Sequence, residues 1–189
     1  MSTRHGSATV TLPSDNEILI TRSFEAPRWL VWEALTKPYH LLRWWGPNWC
    51  PLVSADVDLR PGGSWRYVSR NADGTELAWH GTYREIVAPE RIESSEVFEG
   101  FAEAESINTM TLTELNGLTT LQTLVRHTTK EHRDGHVQSG METGMQQSFN
   151  RLEDLLDRAD THAERFRRVT AGFADRVAHV PDGAWDNSA

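Results

Sequence analysis

The chain has 189 residues, 38% of them hydrophobic and 24% charged, the proportions of a globular domain rather than of a disordered or fibrous chain. Its net charge of -8 argues against nucleic-acid binding, which calls for a basic patch, and no run reaches the ~18 apolar residues of a membrane span. A single cysteine, Cys50, excludes an intrachain disulfide and, with no apolar leader segment, points to the cytoplasm.

In chain order, residues 1–15 are polar and aperiodic and read as a flexible leader. Glu17 to Phe24 alternates as a first strand does, and Pro27 opens a helix over Trp29 to Lys37. A second short helix spans Pro38 to Trp45, capped by Thr36, before the breaker-rich loop Trp44-Trp45-Gly46-Pro47-Asn48-Trp49-Cys50-Pro51. Strand signals follow at Leu52–Leu59, Ser64–Arg70, Glu76–Val87, Arg91–Phe98, Ser106–Glu114 and Leu118–His127, joined by turn chemistry in which Asn116-Gly117 is the strongest hairpin signal. A long helix over His136 to Ala159 places Val137, Met141, Met145, Phe149, Leu152 and Leu156 on one stripe. Gly140, Gly144 and Ser148 beside that stripe leave either close packing on the sheet or room for a ligand. The tail, with Phe166, Val169, Phe173, Val177 and Val180, forms a second amphipathic stripe over 162–180.

These elements predict an α+β helix-grip fold, a curved antiparallel sheet wrapped around a long C-terminal helix. The domain covers 16–160, and 161–189 is an amphipathic helical tail that packs on this domain, pairs between chains or is an orphan.

Seven of the eight tryptophans fall in the first 80 residues, and large aromatics are costly to expose, so they build a core or line a pocket. Alternation puts Trp65, Tyr67 and Ser69 on one face, and Trp79, Gly81 and Tyr83 on one face of the next strand. A wall of Trp45, Trp65, Tyr67, Trp79, Tyr83, Met110 and Leu121, faced by Met141, Met145 and Phe149, is richer in Trp, Tyr and Met than a packed core. It suits a deformable apolar pocket with a few polar handles. The ten residues are the predicted ligand-binding set, with Tyr67, Tyr83, the indole N–H groups and His80 as handles.

Other chemistry is weaker. His127, His132 and His136 match no metal-ligand spacing, so neither metal nor cofactor is expected. His80, Asp56 and Asp58 fall on outward positions by alternation, and Cys50 has no neighbouring base to activate it. No catalytic residue is assigned.

Four stretches carry a resemblance: WLVWEALTKPYHLLRWW at Trp29–Trp45 with Gly46-Pro47 after it, Arg60–Tyr67, Trp79–Arg91 and Ser139–Phe149. They resemble the SRPBCC, or START-like, superfamily, and within it the branch named for the activator of the heat-shock-protein-90 ATPase, over 17–158. The resemblance implies the helix-grip fold and an apolar pocket. Members bind lipids, hormones, flavonoids or polyketides, and a few catalyse reactions. Nothing in the chain resembles the chaperone-binding domain that gave the branch its name. The stretch Glu164–Trp185 is similar to the opening helix of DinB-like, mycothiol-dependent maleylpyruvate isomerase-like proteins, which implies that 161–189 is the truncated start of a second domain or the remnant of a fusion boundary.

The expected function is binding of a small apolar or aromatic molecule between sheet and helix, with no nucleic-acid or membrane partner. The alternatives are a polyketide cyclase/aromatase-like enzyme, the accessory domain of a thiol-dependent transferase, or an interaction protein dimerising through the tail helix.

Overall fold

A computed structural model describes residues 7–178, with side chains through residue 159. Eight strands form one antiparallel sheet: β1 (Thr9–Thr11), β2 (Glu17–Phe24), β3 (Leu52–Val57), β4 (Ser64–Arg70), β5 (Glu76–Val87), β6 (Arg91–Phe98), β7 (Ser106–Leu115) and β8 (Leu118–His127). Their order across the sheet is β1-β2-β8-β7-β6-β5-β4-β3. Two short helices, α1 (Arg28–Thr36) and α2 (Pro38–Trp44), connect β2 to β3, and α3 (Lys130–Gln138) and α4 (Met141–Ala178) follow β8. This is the α+β helix-grip architecture.

Period-two alternation decides which side chains face α4. Ile18, Ile20, Arg22 and Phe24 of β2 are buried while their sequence neighbours keep more surface. The registers Ile18↔Val125↔Asn108 and Arg22↔Leu121↔Leu112 carry that inner face across β8 and β7. The β7–β8 hairpin closes through Asn116 (φ 52) and Gly117 (φ 80), the two positive-φ positions that a tight hairpin turn demands and that this residue pair tolerates. The β2 side of the trough is sealed by Phe24, Val31, Leu41 and Leu121 with Phe149, Leu152 and Leu156 from α4, all at most 7% exposed.

Four sequence readings change. The leader holds a strand: Val10 pairs with Ile20, and Gln146 of α4 takes the Ala8 N–H on Oε1 (3.1 Å) and donates Nε2 to the Ala8 carbonyl (2.8 Å). Those are contacts to distant residues, which local sequence does not display. The single helix expected from His136 is two helices. Its break is Gly140 at φ +79, a left-handed position that ends a helix readily only at glycine. Helix α4 then runs unbroken to Ala178, where a separate tail helix over 162–180 was expected. The tail's side chains, and residues 179–189 entirely, lie outside the described residues. Finally, Thr36 does not cap α2: Lys37 holds the N-cap position, and the Thr36 hydroxyl donates to the Trp32 carbonyl at 2.7 Å.

Candidate ligand site

The β4–β5–β6 half of the trough carries the aromatics. Register pairs Tyr67 with Trp79 and Trp79 with Phe98, so three rings lie side by side on the inner face. Trp45, leaving α2, packs over them with its ring centroid 4.9 Å from Trp79 and 5.5 Å from Tyr67, both edge-on. Trp65 tilts against Tyr67 at 4.7 Å, and Trp79 against Phe98 at 5.3 Å. Edge-on and tilted contacts at these distances are attractive, so the cluster is a stable wall.

The loop that delivers Trp45 is tied to α4. Arg151 donates Nη2 to the Trp44 carbonyl (2.9 Å) and also reaches the Gly46 carbonyl and Asn48. Ser148 Oγ bonds the Gly46 carbonyl at 2.9 Å, and Asn48 N–H donates to Gln147 at 2.9 Å. Gly144 lies against Pro47, where an added Cβ would stand 3.4 Å from the proline ring. Gly144 and Ser148 therefore serve close packing of loop on helix.

Not all ten predicted residues share one environment. Trp45, Tyr67, Trp79, Met110, Met141 and Met145 keep free surface, whereas Trp65, Tyr83, Leu121 and Phe149 are sealed. Phe149 belongs to the other half: it meets Phe24 edge-on at 6.0 Å and stacks on Trp44 at 6.4 Å. Gly81 leaves no room either, because the Trp65 indole nitrogen and the Ser95 carbonyl occupy the place of its missing side chain. That indole N–H has no hydrogen-bond partner among the described residues, and being sealed it offers no handle.

The inner face also holds polar groups that the sequence reading passed over. Glu96 lies two residues from Phe98 on the same face, and Asn108 is on the adjacent strand. Asn108 Nδ2 donates to Glu96 Oε2 at 2.9 Å. The surroundings of Glu96 strip water from its carboxylate, and that burial pushes its pKa up to about 7, only partly countered by the Asn108 bond. Yet the residue keeps some accessible surface, as do Tyr67, Trp79, Phe98 and Asn108. Groups that are hemmed in and still have free surface border a space. The Tyr67 and Tyr83 hydroxyls pair with each other, and burial pushes both phenols upward, Tyr83 to about 12. The Glu96 charge adds to the rise at Tyr67.

The remaining candidates fall elsewhere. His80 is exposed on the outer face, 3.3 Å from Glu99, so it is not a handle for anything in the trough. Asp58 pairs with Arg60 at 2.9 Å near the surface, and Asp56 is exposed. Cys50 is fully buried, and burial raises its thiol pKa, the opposite of what a nucleophile needs. His127 Nε2 and His136 Nδ1 meet at 3.1 Å, and burial with the neighbouring His136 pushes His127 down to about 4. His132 instead bonds Thr128. Among the described residues no three His, Cys, Asp or Glu side chains converge as metal ligands, and no helix is long and apolar enough to cross a membrane. An open groove of about 370 Å³ lies on the outer face between Pro13, Leu19, Thr111 and Leu124. Its one ionisable residue, Glu17, is already bonded to Arg126.

Against known families, the model for "Activator of Hsp90 ATPase homolog 1-like protein" matches residues 25–157. The chain belongs to this family. It is a family of the SRPBCC superfamily, whose members usually bind small hydrophobic ligands. The match spans α1 to the middle of α4 and so contains the whole aromatic wall and Glu96. Among solved structures, a Rhodobacter sphaeroides protein is similar at 26% identity and a TM-score of 0.76, covering 80% of this chain and 99% of its own. A Mycobacterium smegmatis protein is similar at 27% and 0.71, covering 79% and 96%, and one from Staphylococcus epidermidis at 27% and 0.69, covering 80% and 94%. No curated protein matches the chain.

Proposed function

We propose that this domain binds a small hydrophobic molecule with an aromatic or apolar body, enclosed between β4–β7 and α4. The observation that carries the reading is the half-buried wall of Trp45, Tyr67 and Trp79, with Glu96 and Asn108 as polar handles. Rings that keep free surface inside a trough are a standing gain for any apolar body that covers them, at ~25 cal/mol per Å² before the costs of association. Met110 and Met145, also half-buried, would adapt to its shape. The lone cysteine and the acidic charge support a cytoplasmic setting. Native mass spectrometry of the purified protein, repeated after denaturation, tests the reading: a non-covalent mass that Trp79→Leu removes supports it. Failure of both the purified protein and a library of apolar probes to form a complex overturns it.

One observation favours an enzyme as the second reading. An inward acid that titrates near neutrality beside a tyrosine can move protons on a bound carbonyl compound, as a cyclase/aromatase-like reaction requires. Turnover lost in Glu96→Gln, with ligand affinity kept, would separate catalysis from binding. The transferase and tail-dimer alternatives rest on residues outside those described.

A further inference from the structure

Glu96 is a half-buried acid without a cation. Among the described residues no Lys, Arg or His pairs with it; its one side-chain hydrogen bond there comes from the neutral Asn108 amide to Oε2. Buried carboxylates elsewhere in proteins are paired, because an unpaired one gives up hydration and gets nothing back. The same trough contains Arg22, but its guanidinium is turned to α4, held by Glu153 at 2.9 Å and by Asn150 at 3.3 Å. On its own sheet face Glu96 is flanked by Phe98 two residues on and by Trp79, the register partner of Phe98, with Tyr67 beyond Trp79 and Trp45 closing over Trp79 and Tyr67. Ring faces attract cations, and several rings around one carboxylate form the kind of cage that accepts an alkylated ammonium group. The net charge of -8 favours approach of a cation over an anion.

We propose that the bound molecule is a small amine or quaternary ammonium compound, its cationic head set between the Glu96 carboxylate and the rings of Trp45, Tyr67 and Trp79. Its apolar body lies along Met110 and Met145. The proposal rests on the enclosed-binding reading and adds the charge of the ligand to it. The cation supplies the missing partner of Glu96 and displaces its proton near neutrality, since burial alone holds that carboxyl near 7. The groups acting on this charge are Asn108 from β7 and Tyr67 from β4.

The test titrates the full chain with benzyltrimethylammonium and with its uncharged carbon isostere, neopentylbenzene, following tryptophan fluorescence and heat. The cation is expected to bind at least about tenfold more tightly than the isostere. Glu96→Gln should erase most of that preference while leaving the isostere within about twofold, and Trp79→Leu should weaken the cation without adding a charge effect. Equal or tighter binding of the isostere, or an unchanged preference in Glu96→Gln, overturns the proposal and leaves the enclosed-binding reading standing. Binding of neither probe overturns both.

Discussion

The two halves of the trough use one sheet for opposite purposes. Under β2 and β8, the inner face includes Ile18, Phe24, Leu121 and Val125, met by Phe149, Leu152 and Leu156, and none of these seven is more than 7% exposed. Under β4, β5 and β6, the inner face includes Tyr67, Trp79, Glu96 and Phe98, all of which keep free surface, beside the sealed Trp65 and Tyr83. The curvature and the helix are shared; only the inward residue types differ. Aliphatic side chains with a few phenyl rings interdigitate to a dry interior, whereas broad, rigid indoles beside an acid and an amide leave space and polarity behind. The difference teaches that the closed half supplies stability and the open half is free to give some of it up.

Mutations can break that division. Phe149→Ala, in the closed half, should destabilise the protein by ~3–5 kcal/mol in urea unfolding and leave ligand preference intact. A loss under 1 kcal/mol would mean that the halves are not distinct. Glu96→Gln should act in the opposite direction. The folded-state pKa of Glu96 is raised from 4.5 to about 7, so the folded protein holds a proton that the unfolded chain releases between those values. Stability is then full below pH 4.5 and falls as pH rises through about 7. Glu96→Gln should therefore be more stable than wild type at pH 8, by about 2 kcal/mol once the partial exposure of Glu96 is allowed for, and no different at pH 4. Urea midpoints at the two pH values check this, and a variant less stable at pH 8 would refute it.

Smaller effects sharpen the line between the halves. Removing Trp79 by Trp79→Leu should cost only ~1 kcal/mol, because the ring is half-buried, yet abolish retention of the bound mass in native spectra. His127 shows the opposite sign to Glu96: its pKa is lowered from 6.5 to about 4, so its contribution is present above 6.5 and is lost as pH falls toward 4. His127→Gln should flatten the acid limb of the stability–pH curve and leave the neutral region unchanged. His80→Ala, on the outer face, should shift neither the thermal midpoint nor the ligand affinity; any loss of binding would bring the outer face into the site.

Much of this was legible in the sequence, and the misses have physical causes. The limits of β2, β4, β5, β6 and β8 follow directly from alternation bounded by Pro-Gly-Gly, Asn-Ala-Asp-Gly and Asn-Gly turns. Strand β1 was invisible because Thr-Val-Thr has no core face of its own and is held by β2 and Gln146. Phe149, expected in the ligand-binding set, packs on Phe24 and Trp44, because a helical stripe gives the direction a side chain points, not its position along the trough. Glu96 was missed although its signal was present: in Arg91–Phe98 the inner positions are Ile92, Ser94, Glu96 and Phe98. The expectation that glutamates face water overrode the parity count.

The tie between α4 and the Trp44–Asn48 loop bears on timing. With three side chains of one helix gripping that loop, Trp45 cannot swing aside without breaking several hydrogen bonds at once. On the proposed reading, a ligand would then pass a rim held fixed by Trp45, its arrival governed by diffusion and size rather than by a gate. The amide of Asn48, bonded to Gln147, would exchange with deuterium at the same rate whether the trough is empty or full. Molecules too wide for the rim would be refused at any concentration.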